Sequence, residues 1–95
     1  MKPPEQSVRL RITGRVHGVG YRLWATRTAA SLGLRGWVRN RFDGSVEALV
    51  TGAPEWVDAM IEACWRGPRA AQVSEVTAVL DTDDGSLGFI ALPTE

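Results

Sequence analysis

Ninety-five residues with zero formal net charge and 44% apolar content make one domain able to bury a core without staples. A single cysteine excludes an internal disulfide, and no Cys/His cluster suggests a structural zinc site. No stretch is long and apolar enough to span a bilayer, and "MKPPEQS" lacks the apolar core of a signal peptide, so the expected compartment is the cytoplasm with no membrane partner.

Along the chain, Met1–Ser7 reads as a loose leader to a single domain over 1–95. "VRLRITGR" alternates, with Val8, Leu10 and Ile12 on one face and Arg9, Arg11 and Thr13 on the other, the pattern of a half-buried strand. "GRVHGVGYR" at 14–22 places three glycines within seven residues. "YRLWATRTAASLG" then sets Tyr21, Ala25, Thr28, Ala29 and Leu32 at helical spacing, with Gly33 as a stop. "LRGWVRNRF" returns as a strand, Asp43-Gly44 marks a hairpin, and "SVEALVTG" is its partner with Val46, Ala48 and Val50 inward. Pro54 suits the first position of a second helix, with Val57, Met60, Ile61 and Cys64 as its apolar stripe and Arg66-Gly67-Pro68 as its end. "VSEVTAVLD" reads as a strand, "TDDGS" as a turn and "LGFIALP" as a short final strand.

The order β-α-β-β-α-β predicts a ferredoxin-like α+β sandwich: an antiparallel sheet of four to five strands with two helices on one face. Right-handed crossover makes the first two strands parallel with the third between them. The glycine turn, the start of the first helix and Asn40 then meet at one edge. Asn40 shares parity with Val38 and so leans towards the helices.

Charge is segregated along the chain. Residues 1–41 carry Lys2 and eight arginines against Glu5 alone, whereas residues 42–95 carry Arg66 and Arg69 against ten acids. Either the two halves interleave and neutralise each other, the preferred reading, or a basic face binds phosphate or nucleic acid.

A glycine-rich turn feeding a helix presents main-chain N–H groups and the positive end of the helix dipole to one point, which favours an anion. Arg22 opposes that dipole unless an anion lies between them, and its planar guanidinium matches phosphate oxygens. Spacing alone leaves open a solvated arginine beside a tight turn. No lysine follows the turn, so it is not a P-loop, and only Gly18-Val19-Gly20 matches part of a dinucleotide fingerprint. The turn suits a single phosphate.

"GRVHGVGYR" at 14–22, "GWVRN" at 36–40 and "DGSVE" at 43–47 together resemble the acylphosphatase family, and "GPRAAQVSEV" at 67–76 and "GFIAL" at 88–92 resemble its second half. The resemblance spans about residues 8–92. It implies hydrolysis of an acyl phosphate to a carboxylate and inorganic phosphate, with no cofactor and no metal. It further implies that the main chain of Arg15, Val16, His17, Gly18, Val19, Gly20 and Tyr21, with the Arg22 side chain, binds phosphate, and that Asn40 positions the attacking water. His17 stands where the family more often has glutamine.

The chemistry agrees, because phosphoryl transfer from a mixed anhydride needs positioning and charge stabilisation more than a strong acid. No base is obligatory, so His17 is not required as one. Cys64 reads as a core residue, the four tryptophans as packing or rim residues, and Asp81, Asp83 and Asp84 as a solvated turn. The alternatives are a non-catalytic phosphate-sensing domain and an RNA-binding ferredoxin-like domain. The latter needs aromatics on the open sheet face, where the first strand offers none and Glu47 can pair with its arginines. No nucleic-acid partner is therefore expected. Nothing fixes an oligomer, and a monomer is the expectation.

Overall fold

The computed structural model describes residues 4–95, so Met1–Pro3 of the expected leader lie outside the described residues. Seven elements follow in order: β1 (Gln6–Arg15), α1 (Tyr21–Ser31), β2 (Arg35–Asn40), β3 (Val46–Gly52), α2 (Pro54–Arg66), β4 (Gln72–Leu80) and β5 (Phe89–Ala91). The sheet order is β4-β1-β3-β2-β5. β1 and β2 both pair antiparallel with β3, so they run in the same direction on either side of it, and their C-terminal ends share an edge as expected.

The buried stripes follow the sequence periods. Val8, Leu10 and Ile12 of β1 and Val46, Ala48 and Val50 of β3 face the helices and are buried. Tyr21, Ala25 and Ala29 recur every four residues along α1, and Val57, Met60 and Cys64 line α2, together closing one core. α1 stops at Leu32, whose N–H bonds back to Thr28 and Ala29, and Gly33 follows with φ 68°. Pro54 opens α2 with no side-chain cap, where its missing N–H costs nothing.

Two expectations are corrected. The leader is shorter than 1–7, because Gln6 and Ser7 belong to β1, and the Ser7 hydroxyl shares a buried 2.7 Å hydrogen bond with that of Thr51 on β3. The sheet is mixed rather than antiparallel, because β5 pairs parallel with β2. The reason is topological. β4 runs against β2, and the turn over residues 81–88 reverses the chain once, so a strand laid on the outer side of β2 must run with it.

The segregated charges interleave across the open face of this sheet. Glu47 on β3 accepts hydrogen bonds from Arg9 at 2.9 Å and Arg39 at 2.8 Å, and Arg41 reaches it at 3.5 Å. Arg9 also holds Asp81, Arg11 holds Asp43, Arg39 holds Glu95, and Arg35 holds Glu5 and Asp83. The acidic turn is thus tied to the arginines of the first half rather than merely solvated. Trp37 on β2 lies beneath the guanidinium groups of Arg39 and Arg9, whose central carbons are 4.7 and 5.7 Å from its ring centre. Beside them Leu49 is only 2% exposed although it points away from the helices.

This network sets an acid limit on stability. Burial pushes the Glu47 carboxyl upward, but the hydrogen bonds from Arg39 and Arg9 outweigh it and hold the group below its ordinary value of 4.5. Asp43, Asp81 and Asp83 are held low as well: Asp43 mainly by the Ser45 hydroxyl, Asp81 by the Thr82 N–H, Asp83 by Arg35. Carboxyls depressed in the folded chain give stability that is complete above their unfolded pKa and is lost as pH falls through the folded one. Glu47→Gln is expected to lose about 1–3 kcal/mol at pH 7 and to show a flatter decline below pH 4.5 than the parent. Urea titrations at pH 7 and at pH 3 check both.

Candidate active site

Gly14 begins the site. It sits at a register shift between Thr13 and Gly14 in the β1–β4 ladder, with φ 119°. A Cβ there would collide with the backbone of Gln72 and Ser74 on β4, so only glycine permits the bend. Arg15 remains in β1, exposed and opposite Gln72. The chain then leaves the sheet. Val16 turns inward to 1% exposure and Val19 packs against the same core, which pins the turn at two points.

Between and after those anchors, Gly18 and Gly20 take φ 71° and 77°, the left-handed region that favours glycine. Neither has a neighbour within 4 Å of where a Cβ would stand, so this surface of the turn is bare. Gly20 is the N-cap of α1 and offers no side chain to the helix. The Trp24 N–H makes the first helical bond, to the Gly20 carbonyl at 3.0 Å. Among the described residues, no main-chain N–H from His17 to Leu23 donates to a carbonyl. A run of unpaired donors at the positive end of a helix, with no acid in its first turn, is geometry that favours an anion and makes this turn the candidate cradle.

Tyr21 faces the core, and its hydroxyl donates to the Cys64 carbonyl at 2.7 Å, so it offers the cradle only its main chain. Burial holds that phenol well above its ordinary pKa and pushes the Cys64 thiol up to about 11, which leaves both groups chemically inert. Arg22 is half-buried, and its Nη1 donates to the Leu92 carbonyl at 3.2 Å. Among the described residues that single bond orients the guanidinium, and its other donors have no partner.

Asn40 ends β2 on the helix side, as its parity with Val38 predicts. Its Oδ1 is buried and has no hydrogen-bond partner among the described residues. Its carbonyl accepts from the Glu95 N–H at 3.0 Å. The hairpin beyond it is tightly tied. Arg41 N–H donates to the Ser45 carbonyl at 2.8 Å, Gly44 N–H to the Arg41 carbonyl at 3.1 Å, and both the N–H and hydroxyl of Ser45 to Asp43 Oδ1. His17 reaches across from the turn, with Nε2 2.8 Å from the same Ser45 carbonyl.

The fold therefore brings the 16–21 turn, Arg22 and Asn40 to one edge. Sequence reasoning missed three supports: Leu92 behind Arg22, Glu95 behind Asn40, and Ser45 behind His17. Each acts through its main chain, so no side-chain pattern announces it. The open sheet face is a poor base-stacking platform, because its aromatic residue Trp37 is covered by two guanidinium groups that already hold carboxylates. Among the described residues, no helix is long and apolar enough to cross a membrane, and no group of three or more His, Cys, Asp or Glu is placed to hold a metal.

Comparison with known proteins points the same way. A family model described as Acylphosphatase matches residues 8–89. The chain is 55% identical over 73 residues to an acylphosphatase of Rhodopseudomonas palustris, covering 77% of this chain and 74% of that protein. It is 52% identical over 85 residues to one of Azoarcus sp., covering 90% and 87%. Its fold is similar to that of an acylphosphatase from Coxiella burnetii, with a TM-score of 0.90, 30% identity and 93% of each chain covered.

Proposed function

The chain belongs to the acylphosphatase family and is a hydrolase of acyl phosphates, and from that premise we propose how its own residues divide the work. The phosphate sits in the main-chain cradle from Arg15 to Tyr21, chiefly on the N–H groups from His17 onward, with the Arg22 guanidinium on its non-bridging oxygens. Asn40 holds water for in-line attack. The observation that carries this reading is the pairing of unsatisfied groups: a run of free N–H donors at the cradle, and a buried, unpartnered Oδ1 on Asn40. The first calls for an anion, and the second accepts a hydrogen bond from a water O–H.

The step balances without any further group. Water oxygen forms a bond to phosphorus while the bond from phosphorus to the acyl oxygen breaks. The electron pair leaves with the carboxylate, which is a weak base and needs no proton. The water proton passes to a non-bridging phosphate oxygen, so the products are a carboxylate and inorganic phosphate. Arg22 and the cradle offset charge gathering on the equatorial oxygens, the role that metal ions fill in other phosphoryl transfers.

Benzoyl phosphate hydrolysis with excess chelator tests the scheme. The expected result is turnover unchanged by the chelator and inhibited competitively by inorganic phosphate. Loss of turnover on chelation, restored by a divalent cation, would overturn it. On this reading the protein works as a monomer and has no nucleic-acid partner, the second point supported by the paired arginines of the open face.

A further inference from the structure

On that reading the phosphate of the substrate and the attacking water are held by separate segments, and in-line attack depends on the distance between them. The cradle belongs to the β1–α1 turn, and Asn40 belongs to the end of β2. One carbonyl joins the two. Ser45 oxygen accepts from the Arg41 N–H, the residue directly after Asn40, and from His17 Nε2, inside the cradle, each at 2.8 Å. Its two lone pairs are thereby used. The carbonyl cannot swing, because the Ser45 N–H and hydroxyl are both fixed on Asp43 Oδ1 and Gly44 N–H closes the turn onto Arg41.

We infer that His17 is a positioning residue, whose Nε2–H tethers the phosphate cradle to the Asn40 hairpin through the Ser45 carbonyl and so sets the spacing between phosphate and water. The inference rests on the assignment of the cradle and Asn40 above. A carbonyl only accepts, so Nε2 carries the proton in this bond and has no lone pair to offer as a base. The role assigned to the ring is that of this donor. Any side chain of similar reach with an N–H should serve, and glutamine meets that requirement.

The test compares His17→Gln, which keeps a donor at similar reach, with His17→Leu, which has none. Should His17→Leu not fold, His17→Asn takes its place, since its amide is one methylene shorter than that of glutamine. Turnover of benzoyl phosphate, KM, inhibition by inorganic phosphate and thermal midpoint are read for each. Misplacing reacting groups by about 1 Å costs on the order of 10²-fold. The expected result is a kcat about 10- to 10²-fold lower for His17→Leu, with phosphate inhibition within about 3-fold of the parent, and His17→Gln close to the parent in both. Full kcat in His17→Leu overturns the inference. So does a parallel loss of kcat and phosphate binding, which would mean that the cradle itself had collapsed, or failure of glutamine to restore kcat, which would mean that the imidazole acts in another way. Arg22→Ala and Asn40→Ala run beside them: if those keep turnover, the site assignment fails, whatever His17 does.

Discussion

Arg22→Ala is expected to reduce kcat/KM for an acyl phosphate by on the order of 10²- to 10⁵-fold, about 3–7 kcal/mol of transition-state stabilisation. The range is wide because charge-stabilising arginines differ in how much of the developing charge they face. Two features place Arg22 towards the costly end. It is half-buried, so water cannot fully replace it, and its Nη1 bond to the Leu92 carbonyl fixes its direction before substrate arrives. Preorganised charge needs no rearrangement at the moment of reaction. Lysine should not rescue the loss, since an ammonium lacks the planar fork that meets two phosphate oxygens at once. The fold should survive, because the side chain contributes one hydrogen bond and no core volume. Steady-state kinetics with a denaturant melt of the same sample separate the two effects; a variant with more than a tenth of parental kcat/KM and an unchanged melt would remove Arg22 from the site.

Asn40→Ala is expected to lower kcat by about 10²- to 10³-fold while leaving inhibition by inorganic phosphate nearly unchanged. The signature differs from that of Arg22 because Asn40 is assigned to water and not to phosphate. Its Oδ1 is buried without a partner among the described residues. Alanine removes that unsatisfied acceptor, so stability should hold or rise slightly as activity falls. This opposite movement of stability and turnover is hard to produce by damage to the fold. Asn40→Asp keeps the shape and adds a negative charge beside a dianionic substrate, and it should be no better than alanine. Phosphate inhibition weakened in step with kcat would assign Asn40 to phosphate binding instead.

Much of this site is legible in the amino-acid sequence alone. Alternation in β1 and β3 and the four-residue stripe of α1 fix which faces are buried, and those faces dictate that the glycine turn and Asn40 share an edge. Parity with Val38 is enough to turn Asn40 towards the helices. What escapes are contacts whose cause is the approach of distant segments. Leu92 supports Arg22 across 70 residues, and Ser45 supports His17 across 28, in both cases through a carbonyl that every residue type possesses. The direction of β5 escapes for a related reason. Three residues carry no pairing signal of their own, and only the reversal over 81–88 decides which way they lie on β2. Ser7 shows the converse case, a polar residue that reads as leader because its buried partner, the Thr51 hydroxyl, lies 44 residues away.

The strand order has a consequence for how the molecule comes into being. β1 is made first, yet it lies between β3 and β4, and both of its neighbours are synthesised after it. A nascent chain holding only β1, α1 and β2 has the middle of the sheet missing, with Val8, Leu10 and Ile12 uncovered along a strand open at both edges. Hairpin closure of β2 with β3 is local and fast, on the order of microseconds. Seating β1 against β3 and then β4 closes long loops, and proteins dominated by such pairings fold in about milliseconds to seconds. Synthesis therefore passes through an interval in which an apolar, unpaired strand waits for partners not yet made, and that interval is where this chain is most exposed to association with its own copies.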